Sequence, residues 1–254
     1  MAHRNDPQPK KGGRRRRSGA AEPAVAATIP SVNDIERANA IKFEPANPRQ
    51  RFHMRSLKEK SLTLALGPAG TGKTYVSMVY AAQAVLRGEI TKLVLMRPAV
   101  ALEGEEHGFL PGDLFAKVSP WARPMLKKLD TLIGGGRVKA MVKNGQIEVC
   151  PFTYLRGDEF EAGTFVMLDE AQNCTVGQLK AFTTRIADGS RIVIAGDVSQ
   201  HDLPGDSGLS VLLDVIEGSD DIDCGIIEYE ARDIERGALC AAFVKAWEGC
   251  RNAA

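Results

Sequence analysis

The chain lacks most of what would mark it as secreted or membrane-bound. Its five cysteines, Cys150, Cys174, Cys224, Cys240 and Cys250, are odd in number and form no Cys-x-x-Cys pair. That argues against a disulfide framework and against a zinc site, and it fits a reducing cytoplasm. No run approaches the ~18 consecutive apolar residues of a membrane span. The start resembles a signal peptide, but Glu22 and Pro23 interrupt the apolar stretch from Ala20 to Thr28. Aromatic residues are scarce, at 6%, so no stacking platform for single-stranded bases stands out. There is no internal repeat. Net charge is also nearly absent, at +1, but the balance hides an asymmetry. Residues 1–17 hold Arg4, Lys10, Lys11 and Arg14 to Arg17 against Asp6 alone, a net of +6. The remainder is mildly acidic. Such a tail either touches nucleic acid or another polyanion, or serves as a solubilising leader.

What is present is ordinary globular composition, 44% hydrophobic and 26% charged over 254 residues, enough for a sizeable core. Residues 1–30, rich in Pro, Gly, Arg and Ala, read as a disordered basic tail. Residues 31–254 read as one globular domain. Apolar strand runs are expected at Leu62–Leu66, Lys92–Met96, Gln146–Cys150, Thr164–Leu168, Arg191–Ala195 and Cys224–Tyr229. Helices are expected at Lys73–Leu86, Val176–Ala187, Leu209–Ile216 and Asp233–Trp247. The strands are apolar throughout rather than at alternate positions. That pattern belongs to a mostly parallel sheet covered by helices on both faces, an α/β fold. In such sheets ligands bind beyond the carboxyl ends of the strands. Residues 98–145, with many Gly and Pro, fit the alternation poorly and look like an elaborated insertion.

Gly67-Pro68-Ala69-Gly70-Thr71-Gly72-Lys73-Thr74 follows a strand and opens a helix, the context a phosphate-binding loop requires. Its glycines let backbone N–H groups turn inward, and the helix adds the positive end of its dipole. Lys73 is placed to neutralise β- and γ-phosphate oxygens and Thr74 to offer its hydroxyl to Mg²⁺. The expected nucleotide contacts run from Gly67 through Tyr75. Phe165-Val166-Met167-Leu168-Asp169-Glu170 is an apolar strand ending in two acids. Asp169 is a candidate for Mg²⁺ and Glu170 for general-base work on the attacking water. A small-molecule kinase needs no such base, so the pair favours hydrolysis of ATP. Arg191–Ala195 delivers Gly196-Asp197-Val198-Ser199-Gln200 to the same edge, where Gln200 can sense the γ-phosphate without titrating. Arg97, Arg156, Arg185 and Arg236 are arginine candidates for γ-phosphate charge. Each taken singly reads more readily as a surface salt bridge, and Arg236 is the first choice because it opens the expected last helix. Gln50 reads equally as an exposed polar residue or as an adenine contact.

Taken together these motifs resemble the PhoH-like family of P-loop ATPases, relatives of the superfamily-1 helicase core. The resemblance covers roughly Asn47 to Trp247. Besides the loop at 67–74, it rests on Arg97-Pro98-Ala99-Val100, Gly108-Phe109-Leu110-Pro111-Gly112-Asp113, Arg156-Gly157 and Asp169-Glu170-Ala171-Gln172-Asn173. Thr184-Arg185, Gly196-Asp197-x-x-Gln200 and Ser207-Gly208-Leu209 complete it. It implies Mg²⁺-dependent ATP hydrolysis on a RecA-like sheet, Gln50 as the adenine contact, Glu170 as the water-activating acid and Gln200 as a coupling residue. It also implies action on RNA and assembly into rings. One departure is Arg236-Gly237, where the family carries a basic residue after the arginine. The short basic leader leads us to expect no nuclease domain ahead of the fold.

Two functions stay open: an ATPase that moves or remodels RNA or single-stranded DNA, and a regulatory ATP switch acting on a protein partner. Residues 31–254 are too few for two lobes of ~150 residues each. A one-lobe motor needs a neighbour, so a homo-oligomer, possibly a ring, is expected. The nucleic-acid grip is expected from the basic tail, Lys127-Lys128, Arg137 or Lys139.

Overall fold

The computed structural model describes residues 29–98, 122–152, 159–200 and 207–237, with 239, 242, 243 and 246. The basic tail to residue 28, the Gly108–Asp113 motif and Arg156 lie outside the described residues.

Among the described residues, two helices precede the first strand. In α1 (Val32–Ala40), the Ser31 hydroxyl accepts from Asp34 N and the Asp34 carboxylate returns to Ser31 N, a reciprocal cap. In α2 (Pro48–Glu59), the Asn47 side chain accepts from Gln50 N at 2.9 Å and Pro48 holds the first helical position. Neither helix is among those expected from the apolar pattern, although Asn followed by Pro is a start signal. The chain continues as β1 (Leu62–Leu66), α3 (Lys73–Leu86), β2 (Lys92–Arg97), α4 (Arg123–Ile133), α5 (Gly135–Lys143) and β3 (Ile147–Pro151). Then come β4 (Thr164–Leu168), α6 (Val176–Thr183), β5 (Arg191–Gly196), α7 (Gly208–Glu217) and β6 (Cys224–Glu228).

The six strands form one sheet in the order β3-β2-β4-β5-β1-β6, and every ladder is parallel. The loop-bearing strand β1 is separated from the acid-bearing strand β4 by β5, the RecA-like arrangement. All carboxyl ends share one edge. Side chains alternate between two cores. Leu93, Leu95, Phe165, Met167, Val193 and Ala195 pack under α1 to α5. Val94, Met96, Val166, Leu168, Ile192 and Ile194 pack under α6 and α7. Both faces are dry, which is why the strands read as unbroken apolar runs.

Three expectations change. Within the stretch read as an irregular insertion, 123–143 forms two helices, and α4 packs on α3. The glycines at 134–136 mark a helix junction, with Gly134 at φ 89° ending α4. Helix α6 stops at Thr183 rather than Ala187 because Arg185 O accepts from Phe160 N at 2.8 Å and Ile186 bridges to Phe160. The last helix does not begin at Asp233. A short 3₁₀ turn at Ala231–Asp233 is followed by non-helical residues 234–237, because Glu235 N donates to Gly70 O at 3.0 Å and the chain runs along the phosphate loop instead.

Phe165 is fully buried at the centre of the sheet and packs on Tyr80, ring centroids 5.3 Å apart. Phe165→Ala is predicted to cost about 3–5 kcal/mol, read as a lower urea midpoint at unchanged slope. A loss under about 1 kcal/mol would mean that this part of the core collapses around the void.

Candidate functional site

The phosphate loop turns on positions only glycine fills without strain. Gly67 has φ 124°, and a Cβ there would lie 2.2 Å from the Tyr229 carbonyl oxygen. Gly72 has φ 95° at the start of α3, and a Cβ there would lie 2.7 Å from Gln50 Nε2. The Thr71 hydroxyl donates to Pro68 O at 3.0 Å. Lys73 donates to Gly67 O and, at 2.8 Å, to Pro68 O. Ala69 is exposed and Pro68 buried. Burial lowers the Lys73 pKa, opposed by Asp197, Asp169 and Glu170, with Arg236 adding to the lowering. One cation thus sits in a field of three acids.

Thr74 Oγ1 donates to the Asp169 carboxylate, at 3.2 Å to Oδ1 and 3.3 Å to Oδ2. Asp169 N donates to Met96 O at 2.9 Å, so the backbone is still in register with β2 where the acid begins. Burial raises the Asp169 pKa, and Glu170 raises it further. Arg97, the Thr74 hydrogen bond and Lys128 oppose the shift. Glu170 adopts the left-handed region at φ 56°, the one non-glycine to do so among the described residues. Arg97 pairs with its Oε1 at 3.0 Å and Gln172 Nε2 donates to its Oε2 at 2.6 Å. Gln172 also accepts from Asp197 N at 3.1 Å, which ties the ends of β4 and β5 together. Asp197 is buried, accepts from Ser199 N and Oγ, and leaves Oδ2 without a hydrogen bond.

Gln50 is buried, not exposed. Its amide accepts from Ala46 N at 3.0 Å and donates to Thr71 O at 3.1 Å, so it braces the loop from α2. Tyr75 is half-exposed beside Phe43, ring centroids 6.4 Å apart. Arg236 lies across the loop, its Cδ 2.9 Å from where a Gly70 Cβ would be, at a bend in a non-helical segment rather than at a helix start. Asn47 and Arg49 hold that segment by bonds to Glu235, Asp233 and Glu230. Gln200 is exposed in the turn after β5, its N–H donating to Asp197 O. Arg185, just past the end of α6, turns back to Ala181 O in its last turn. Of the candidate basic grip, Arg137 pairs with Asp34 on α1 and Lys127 and Lys139 are exposed. Lys128 is half-buried within the field of Asp169, Arg236, Arg97 and Glu170.

The sequence gives no role to Gln172, Asp197 or His53, and offers Lys128 only as part of a basic grip, with no link to Asp169 and Glu170. Gln172 and Asp197 lie inside motifs already quoted. No local signal marks His53, which is fully buried and links three elements. Ser77 Oγ donates to Lys73 O at 3.0 Å and lies 3.3 Å from His53 Nε2, while His53 Nδ1 lies 3.0 Å from the Tyr229 hydroxyl. With the Ser77 proton used on Lys73, one tautomer satisfies all: Tyr229 donates to Nδ1, and Nε2–H donates to Ser77.

Thr74 and Asp169 present only oxygens, the donors a hard divalent cation takes. No group of three or more His, Cys, Asp or Glu among the described residues could hold a metal. A hydroxyl and one carboxylate suit Mg²⁺, which keeps most of its shell for water and phosphate.

Against known proteins, the sequence model of PhoH-like proteins matches residues 42–248. The chain belongs to the PhoH-like protein family. It is 42% identical over 201 residues to the PhoH-like protein of Bacillus subtilis, covering 78% of this chain and 62% of that one. It is 37% identical over 232 residues to the PhoH-like protein of Mycobacterium tuberculosis, covering 91% and 64%. With Protein PhoH of Escherichia coli K12 the figures are 36% over 205 residues, covering 79% and 57%. The chain thus spans about three-fifths of the length of these PhoH-like relatives. Among solved structures there is a distant likeness to the HK97 bacteriophage large terminase, TM-score 0.46 at 11% identity, covering 78% of this chain and 43% of that one. The DUF1998 helicase MrfA bound to DNA gives 0.44 at 13%, covering 82% and 32%. No helix among the described residues of this PhoH-like chain is long and apolar enough to cross a membrane.

Two pH effects follow. Burial, with Lys73 adding to it, lowers His53 from its ordinary 6.5 to about 3. Only the unfolded chain gains a proton as pH falls through 6.5, so stability is present above that pH and lost below it, by on the order of 2–3 kcal/mol at about pH 4.5. Urea denaturation across this range should show the slope, and His53→Gln should lack it; an equal slope in both would refute it. Asp169 has the opposite sign: its raised pKa means that its charge costs stability at neutral pH. Asp169→Asn should therefore raise the melting temperature of the nucleotide-free protein, and a lower one would contradict this.

Proposed function

We propose that the chain is a Mg²⁺-dependent ATPase whose hydrolysis is coupled to binding or remodelling RNA or another single strand. The observation that carries this reading is the contact of Thr74 with Asp169, 95 positions apart. The first residues of the phosphate-loop helix and the acidic end of β4 meet there. Thr74 and Asp169 would hold Mg²⁺, which when bound neutralises charge on the β- and γ-phosphates. Lys73 and the loop N–H groups bind the phosphates, Gln50 and Tyr75 flank the adenine side, and Glu170 takes a proton from the attacking water. Gln200 and Arg236 respond to the γ-phosphate from β5 and from the segment after β6.

The chain's field supports a shared site. Lys73 and Lys128 lie in the field of Asp169 and Glu170, with Arg236 close enough to act on both cations, so charge developing on the γ-phosphate meets oriented cations without solvent reorganisation. Assembly of copies of the chain, in the cytoplasm, belongs to the same proposal.

Lys73→Ala is expected to abolish ATP hydrolysis. Glu170→Gln is expected to bind ATP while turning over on the order of 10²–10⁴ more slowly. Normal turnover in Glu170→Gln would remove the base assignment. The rate is expected to rise with single-stranded RNA or DNA. An unchanged rate with both polymers would favour the regulatory switch. Light scattering after gel filtration should show an oligomer with ATP, and a monomer with and without ATP would sink the assembly.

A further inference from the structure

The base candidate is held at both carboxylate oxygens. Arg97 takes Oε1 at 3.0 Å and Gln172 takes Oε2 at 2.6 Å. A carboxylate committed in this way is badly placed to accept a proton from water. The two partners differ in where they pull. Gln172 is two residues along the same turn and is itself tied to Asp197 N on the β5 side. Arg97 ends β2, which lies beyond β4 from β5 and β1. With strands ~4.8 Å apart, the end of β2 is about 14 Å across the sheet from the phosphate-loop strand, and the end of β4 about 10 Å. Arg97 therefore draws the carboxylate away from the loop. Arg236, by contrast, lies on the loop at Gly70, so Arg97 is not the arginine placed for the γ-phosphate.

Two further observations suggest what could remove Arg97. Its side chain is 28% exposed and that of Glu170 39%, and pairs this open to water are weak enough to exchange partners. Lys128 of α4 stands in the same field, and the two cations repel. An anion arriving on the β2 flank would be attracted by both. The planar guanidinium matches a phosphate with two parallel N–H groups.

We propose that Arg97 is a positioning residue that parks Glu170, and that a phosphodiester group of a single-stranded nucleic acid takes over the guanidinium and frees the base. This rests on the reading of Glu170 as the base. Binding of the strand then raises turnover of ATP already bound, without a change in ATP affinity.

The test is steady-state hydrolysis by the full chain, with and without oligouridylate, for wild type, Arg97→Gln, Arg97→Lys and Glu170→Gln. Thermal melting and binding of a fluorescent ATP analogue are measured on each. Wild type should be stimulated. Arg97→Gln should raise the unstimulated kcat about three- to fivefold at unchanged KM for ATP, and lose most of the stimulation. Arg97→Lys keeps the charge but not the fork and should fall between, and it carries the test if Arg97→Gln does not fold. A fall in kcat in both Arg97 variants, or unchanged kcat with full stimulation, would overturn the proposal. So would a wild type that oligouridylate leaves unstimulated, or equal stimulation by polyglutamate. Glu170→Gln separates the two readings. Wild-type turnover in that variant overturns the base itself, whereas a dead Glu170→Gln beside an unaltered Arg97→Gln overturns only the parking role.

Discussion

Two acids end a strand that is otherwise apolar and buried on both faces, and the cost of keeping them there organises everything around them. Asp169 is 8% exposed, and a charge so placed is tolerated only with partners. Those partners come from three directions: Thr74 and Lys73 from α3, Arg97 from β2 and Lys128 from α4. None of them is adjacent to Asp169 in the chain. The parallel sheet brings most of them together because every strand ends on the same edge.

The same edge explains why the phosphate loop keeps its shape. Gly67 N donates to Gly196 O, Tyr229 N to Leu66 O and Glu235 N to Gly70 O. Gln50 braces Thr71 from α2, and the Tyr229–His53–Ser77 chain links β6, α2 and α3 through one neutral imidazole. A loop held from three sides loses little conformational freedom when a ligand binds. Its polar groups are also paired in a dry setting, where leaving them unpaired would be costly.

The frame of the fold was legible because its signals are local. Leu62–Leu66, Thr164–Leu168 and Lys73–Leu86 were read with the bounds the structure gives them, and each phosphate-site motif lies at a strand end as the apolar runs required. Side-chain pairing across strands leaves no such trace. Arg97 read as a surface salt bridge; it does form one, but its partner is Glu170. The left-handed turn at Glu170 gives no warning, since glycine is the usual occupant of that region. Lys128 read only as part of a basic grip, because glycines and prolines around it masked the helix that brings it into the field of Asp169 and Glu170. Arg236 reads as the start of a helix and instead sits at a bend beside Gly70, in a segment held by Asn47 and Arg49 at the start of α2, a helix with no strong apolar period.

The central claim is that the ends of β1, β4 and β5 form one nucleotide site. Hydrogen exchange of the full chain, with and without Mg²⁺ and a non-hydrolysable ATP analogue, tests it most directly. Joint slowing is predicted for backbone amides in 67–76, 169–173 and 196–200. Saturating ligand that leaves 67–74 unchanged, or slows exchange only elsewhere, would contradict it.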